Sequence, residues 1–265
     1  MNQALLHDKV ALVTAGAQGS GAAIVRALAA ACARVALTYH HSEQEARLLT
    51  AQIRQQGGEA VALRTDARNP ETCVRAITRT LELWGRIDIL VNHAAVIICK
   101  PFDEIELREF EQSMEINVRA VFLTSQLAAR QMPAGGRIIH ISSTRQEADH
   151  SDALCAMGRA ALGALTRAMA QDLGPQGITV NQLIPSVTTP LPSLTETRDE
   201  KIPGCPATTH SIADLVLWLC SPAAAAVNGT QFDIAAQYAP QVALSGVRCP
   251  PCQRGNNSCG RVISS

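Results

Sequence analysis

Short runs dominated by Val, Ile, Leu and Ala alternate along the chain with longer stretches whose apolar residues recur at helical spacing. That alternation is the pattern of strand–helix–strand units built around a parallel sheet. It predicts strands near Val10–Thr14, Arg34–Tyr39, Ala60–Arg64, Ile87–Asn92, Arg137–Ser142, Ile178–Leu183 and Gln231–Ile234. Between them it predicts helices over Gly19–Ala31, Ser42–Gln56, Pro70–Trp84, Asp103–Met132, Asp152–Leu173 and Ser211–Leu219. Most of these open on Ser, Asp or Pro, residues suited to a helix start. The expected fold class is therefore α/β, one doubly wound domain over residues 1–238 with a seven-stranded parallel sheet.

After Tyr238 the periodicity stops, and residues 239–265 are rich in Pro, Gly, Asn, Ser and Cys, which reads as an irregular C-terminal tail. Its Cys249, Cys252 and Cys259 have no neighbouring His and make an incomplete tetrahedral set, so no metal site is expected.

Composition narrows the function classes. With 47% hydrophobic and 17% charged residues in 265, the chain builds a buried core and is neither disordered nor a coiled coil. Lys+Arg and Asp+Glu each number 23, so no basic field collects nucleic acid or a membrane surface. Arg26 and Arg34 interrupt the longest apolar stretch before it reaches the roughly 18 residues of a membrane span. Met1–Val13 carries no secretory pattern, and the nine scattered cysteines fit reduced thiols, so a cytoplasmic location is expected.

The segment Thr14-Ala-Gly-Ala-Gln-Gly-Ser-Gly21 follows the first strand and opens a helix. Glycines there let backbone approach a pyrophosphate, and the N–H groups of the helix start favour its charge. Asp66, Ile87–Ala95, Asn117, Ile141–Ser143, Cys155–Leu162 and Ile178–Pro185 follow in order. Together these segments resemble the short-chain dehydrogenase/reductase family from about residue 7 to 238, a Rossmann fold. Tyr39–Ser42, Ala95, Met157, Ser186 and Asp214–Thr230 look more like its pteridine-reductase branch. The resemblance implies a nicotinamide cofactor on Thr14, Gly16, Gly19, Ser20 and Gly21, with Asp66 near the adenine and Asn92 and Ala94 along the ribose. No acid ends the second strand; His40, His41 and Ser42 stand there, which leans to NADP(H) over NAD. It also implies a small-molecule substrate and a homo-dimer or homo-tetramer.

The catalytic pattern departs from that family. Its tyrosine gives or takes a proton at the carbonyl oxygen, and a lysine four residues later supports it. Aligned on Ala160-Ala-Leu162, Cys155 stands for the tyrosine and Arg159 for the lysine. No lysine has a tyrosine four residues before it: Leu5 precedes Lys9, Val96 precedes Lys100 and Thr197 precedes Lys201. Ser143 matches the substrate-orienting serine and Asn117 the relay asparagine, although a strand-end hydroxyl or an amide at a helix bend explains them as well. His93, His140 and His150 are ordinary satisfied or solvated side chains before they are substitute acids. Ala15 replaces the first loop glycine, and His93, Ala95 and Ser186 replace an Asn and two Gly. Three readings follow: a non-catalytic or very weakly active NADP(H)-type protein, an NADPH-dependent carbonyl or pteridine reductase with an unusual proton donor, and a redox-responsive thiol protein acting through Cys155.

Overall fold

The computed structural model describes residues 5–98, 100–142, 145–146, 153–187 and 209–234. Its strands are β1 (Val10–Val13), β2 (Arg34–Tyr39), β3 (Ala60–Arg64), β4 (Ile89–Asn92), β5 (Arg137–Ile141), β6 (Arg145–Gln146), β7 (Thr179–Val187) and β8 (Gln231–Ile234). They pair in the order β3-β2-β1-β4-β5-β7, with β8 and the two-residue β6 also on β7, and every pair is parallel. The helices are α1 (Gly19–Ala30), α2 (Glu43–Gln55), α3 (Pro70–Trp84), α4 (Leu107–Met114), α5 (Ala120–Ala129), α6 (Ala153–Leu173) and α7 (Thr209–Leu219).

Strand alternation sorts the helices into two layers. Ala11 and Val13 face Ile24 and Leu28 of α1 and Val216 and Leu219 of α7; Leu12 faces the other way, toward Ile77 of α3, Ala128 of α5 and Ala170 of α6. Each fully buried Leu or Ile adds about 1.5–3 kcal/mol, which explains why these runs hold the centre of the sheet. Because β1 lies between β2 and β4, the winding reverses there and opens a crevice at the strands' carboxyl ends. Among the described residues no helix is long and apolar enough to cross a membrane.

The seven expected strands and the doubly wound order are present, and two details differ. β7 runs on to Val187, where Arg145–Gln146 pairs with it. The tail 239–265 lies outside the described residues, as does the final part of the expected domain. The helix expected over Asp103–Met132 is broken: α4 ends at Met114, a π turn spans Glu115–Arg119, and α5 begins at Ala120. Asn117 accounts for the break. Its amide donates to the Val96 carbonyl at 2.9 Å and to Ser113 Oγ at 3.1 Å, and its oxygen accepts from the Val96 N–H at 2.9 Å. A wider turn with an inserted side-chain tie is a known cause of such a bulge.

A polar chain also runs through the core. Thr124 Oγ1 donates to Asn92 Oδ1 at 2.7 Å, Asn92 Nδ2 donates to Ser125 Oγ at 2.9 Å, Ser125 meets His140 Nε2 at 3.1 Å, and His140 Nδ1 meets Thr166 Oγ1 at 2.9 Å. It joins β4, α5, β5 and α6.

Candidate active site

The crevice is assembled from the ends of β1, β2 and β4. Thr14 Oγ1 accepts the backbone N–H groups of His93 and Ala94 at 2.9 and 3.0 Å, fastening the loop after β4 to the glycine loop. Thr38 fastens the other side: its hydroxyl accepts from the Ala15 N–H at 3.0 Å and its carbonyl from the Gly16 N–H at 2.9 Å. Two glycines here are required by space. A methyl on Gly16 would come within 2.9 Å of Leu37 and Val25, and one on Gly21 within 2.4 Å of the Ala15 carbonyl oxygen. The start of α1 carries no side-chain cap and no acid in its first turn, while the side chain of Gln18 donates instead to Glu45 at 2.8 Å. Its backbone N–H groups and dipole are thus arranged for an anion.

Beside this loop lies a cavity of about 310 Å³ lined by Thr14, Tyr39, His40, Asp66, Ala94 and Val121 among others. Asp66 is gripped by Arg68, at 2.9 Å from Nη2, 3.2 Å from Nε and 3.0 Å from the backbone N–H. That hydrogen-bonded guanidinium holds its carboxyl below the usual range despite partial burial. His40 Nε2 is 3.6 Å from the same carboxylate, and its ring lies 3.7 Å from that of His41. Ser42 is the residue before α2 and makes no side-chain capping bond.

His93 lies between the two halves. Its Nε2 is 2.8 Å from Ser20 Oγ, and its Nδ1 is buried, has no hydrogen-bond partner, and points at Gly21. Burial lowers its pKa, against the opposing pull of the Ala15 and Thr14 backbone.

On α6, Cys155 is 1% exposed. Gly158, three residues on, packs its backbone against the Asn117 side chain, and the Arg159 carbonyl accepts from Gln182 Nε2 at 3.2 Å. The cavity beside Asp66 is lined by residues before α6 in the chain. Among the described residues no cluster of His, Cys, Asp or Glu could hold a metal ion.

Comparison with known proteins decides the family. The sequence pattern of the family described as enoyl-(acyl carrier protein) reductase matches residues 14–236. An oxidoreductase of Escherichia coli K12 named YohF, described as uncharacterized, is 33% identical over 83% of this chain and 92% of its own. The crystal structure of a dehydrogenase/reductase from Sinorhizobium meliloti 1021 shares 37% identity and a TM-score of 0.79 over 88% of this chain and 96% of that one. A short-chain dehydrogenase from Burkholderia cenocepacia J2315, solved in complex with NADP, shares 35% identity and a TM-score of 0.78 over 88% and 98%. The chain belongs to the short-chain dehydrogenase/reductase family.

Of the residues that the short-chain dehydrogenase/reductase resemblance named, Thr14, His40, His41, Asp66, Asn92 and Ala94 line one cavity, and Gly16, Ser20 and Gly21 lie in the glycine loop beside it. Ser143 lies outside the described residues. Asn117 and Cys155 are brought near each other through Gly158, but the Asn117 amide is committed on both hydrogens and on its oxygen. Burial of Cys155 removes the exposure that a redox-sensing thiol needs. Thr38 and the ring of His93 were not legible as loop-fixing groups. Thr38 stands inside an apolar strand, and His93 reads as a replaced asparagine and an ordinary satisfied side chain until the fold sets it against Ser20.

The short-chain dehydrogenase/reductase loop also carries strain. Ala15 has φ +51°, a left-handed conformation that costs an L residue about 1–2 kcal/mol. Glycine relieves that but adds unfolded-chain freedom of about 0.4–1 kcal/mol. Ala15→Gly is therefore expected to stabilise by roughly 0.5–1 kcal/mol, seen as a higher urea midpoint at unchanged slope; a lower midpoint would contradict the strain.

Proposed function

We propose that this chain holds NADP(H) by its adenosine and diphosphate and is non-catalytic or only weakly active in hydride transfer, acting through binding or assembly. The observation that carries the reading is Cys155. At the α6 position where the family has its tyrosine, this chain has a short, buried thiol.

The residues present fit a dinucleotide. Gly16 and Gly21 leave spaces that a Cβ would fill, the α1 terminus is uncapped, and a cavity adjoins it at Asp66, His40 and Ala94. Thr14, Ser20 and the loop backbone would hold the diphosphate, and His40, His41 and Ser42 the ribose-phosphate end. A nicotinamide cofactor, when bound, supplies the hydride.

The chain must supply the proton, and here it is deficient. A cysteine sulfur ends about 3–4 Å short of a phenol oxygen, and proton transfer needs hydrogen-bond contact or one bridging water. Arg159 can donate hydrogen bonds, but a guanidinium does not pass a proton along a relay. The same reading includes a homo-dimer or homo-tetramer through α4 to α6, on which Leu107, Phe122 and Met157 stand exposed.

Titration of the protein into NADPH fluorescence is expected to give saturable binding below millimolar cofactor, with no NADPH oxidation above background on small ketones. Absence of binding would overturn the cofactor half. Brisk turnover abolished by one side-chain substitution would overturn the catalytic half.

A further inference from the structure

The contact between His93 and Ser20 joins residues 73 positions apart in sequence, inside the loop that opens α1. The hydrogen positions in this pair follow from what surrounds it. Nδ1 is buried, without a partner, and directed at Gly21 beside the Ala15 carbonyl oxygen. Nδ1 and the Ala15 carbonyl flank the same glycine, and the Ala15 and Thr14 backbone favours a ring N–H, which assigns the neutral ring's hydrogen to Nδ1. Nε2 is then the acceptor, and the Ser20 hydroxyl must donate to it across 2.8 Å. In that state Ser20 has spent its only hydrogen inward and presents oxygen lone pairs to the helix start. Lone pairs repel a phosphate.

One proton reverses the arrangement. Protonated at Nε2, the ring becomes the donor to Ser20 Oγ, and the serine hydrogen is released to turn outward. The loop then offers an added O–H donor and a nearby positive charge to an anion.

We propose that Ser20 and His93 form a diphosphate-recognition pair in which nucleotide binding takes up a proton at His93. The inference rests on the nucleotide-binding reading above and adds two named groups to it. The neutral ring suits an empty loop, because burial disfavours its charge; a diphosphate restores the charged form by supplying the opposite sign. Among the described residues the ring faces Ser20 of α1 and Thr14, Ala15 and Gly21 of the loop, none of them titratable near neutrality. The ionisable groups of the adjoining cavity are Tyr39, His40, His41, Asp66, Arg68 and Cys73.

The test uses ADP-ribose, whose diphosphate stays fully ionised over the range and which lacks the titrating 2′-phosphate of NADP. Calorimetric titration in paired phosphate-free buffers of different ionisation enthalpy, Mes and Bis-Tris from pH 5.5 to 7 and Hepes and Tris from pH 7 to 8, gives the protons taken up per nucleotide. The expected result is uptake approaching one proton, with affinity rising by up to about tenfold per pH unit as pH falls. His93→Asn should keep binding and lose the uptake. Ser20→Ala should weaken binding most at low pH, where its freed hydrogen would serve. His40→Asn with His41→Asn should leave the uptake in place. Equal uptake in the parent and in folded His93→Asn, or none in the parent, would overturn the pair's role while the binding reading stands. Failure of both ADP-ribose and NADP to bind would overturn the two together.

Discussion

Replacing Cys155→Tyr together with Arg159→Lys is expected to raise NADPH-dependent reduction of small ketones by about 10²–10⁴ over the parent chain, the usual contribution of a positioned general acid. Both side chains leave α6 one turn apart, so a phenol and an ammonium introduced there become neighbours. The lysine charge favours the phenolate, which a fixed guanidinium cannot do while also exchanging a proton. Cys155 is enclosed, so the larger ring must be directed into the crevice, at a stability cost of about 1–3 kcal/mol. A thermal melt and an NADPH titration on the same sample separate that cost from the catalytic gain. Arg159→Lys alone should change turnover little, because the phenol is still missing; Cys155→Tyr alone should recover part of the gain. A folded, NADPH-binding double variant without increased turnover would locate the deficit elsewhere, with Ala15 and Ser186 the next positions to revert. Rate gain in the double variant also requires the Asn117 bend to tolerate the change, since Gly158 of the same helix turn packs on that amide.

How far the sequence reveals the molecule depends on the range of the interaction involved. The strands were legible because runs such as Val10–Val13 and Ile89–Asn92 are buried along their whole length and need no partner to be identified. The glycine loop was legible for the same local reason. The break between α4 and α5 was legible only as one reading of Asn117, an amide at a helix bend; its form depends on Asn117 reaching Val96, 21 residues away, to exchange two hydrogen bonds. Asp66 stood out as a candidate and lines the cavity beside the glycine loop, yet its grip by Arg68, only two residues on, depends on which way an arginine side chain turns, and sequence does not fix that. His93 is the extreme case. Its residue type was visible as a departure from the family, but its role arises from a contact with Ser20 that exists only when β4 and α1 are brought together.

Acid should destabilise this chain through His140 by up to about 3 kcal/mol between pH 7 and pH 4. A neutral ring fits the core chain. Asn92 Nδ2 donates to Ser125 Oγ, and with the ring hydrogen on Nδ1 the Ser125 hydroxyl donates to His140 Nε2 while His140 Nδ1 donates to Thr166 Oγ1, which satisfies these contacts without a charge. Complete burial adds the cost of desolvating a charge and pushes the pKa down to about 4 from 6.5. Between those two values the unfolded chain binds a proton that the folded chain refuses, so stability is full above about pH 6.5 and falls as pH approaches 4. Urea unfolding at a series of pH values reads this directly as a falling midpoint. His140→Gln, which keeps an acceptor and a donor but does not titrate, should be less stable than the parent at pH 7 by about 1–3 kcal/mol, through imperfect replacement of two buried hydrogen bonds. Its stability should then fall less steeply on acidification, with a residual slope from His93, whose pKa burial also lowers. Parallel pH profiles for parent and variant would assign the acid sensitivity to other groups. Convergence of the two curves near pH 4 would instead mean that protonation and substitution disrupt the same link between Asn92, which lines the cavity beside Asp66, and Thr166 on the helix that carries Cys155.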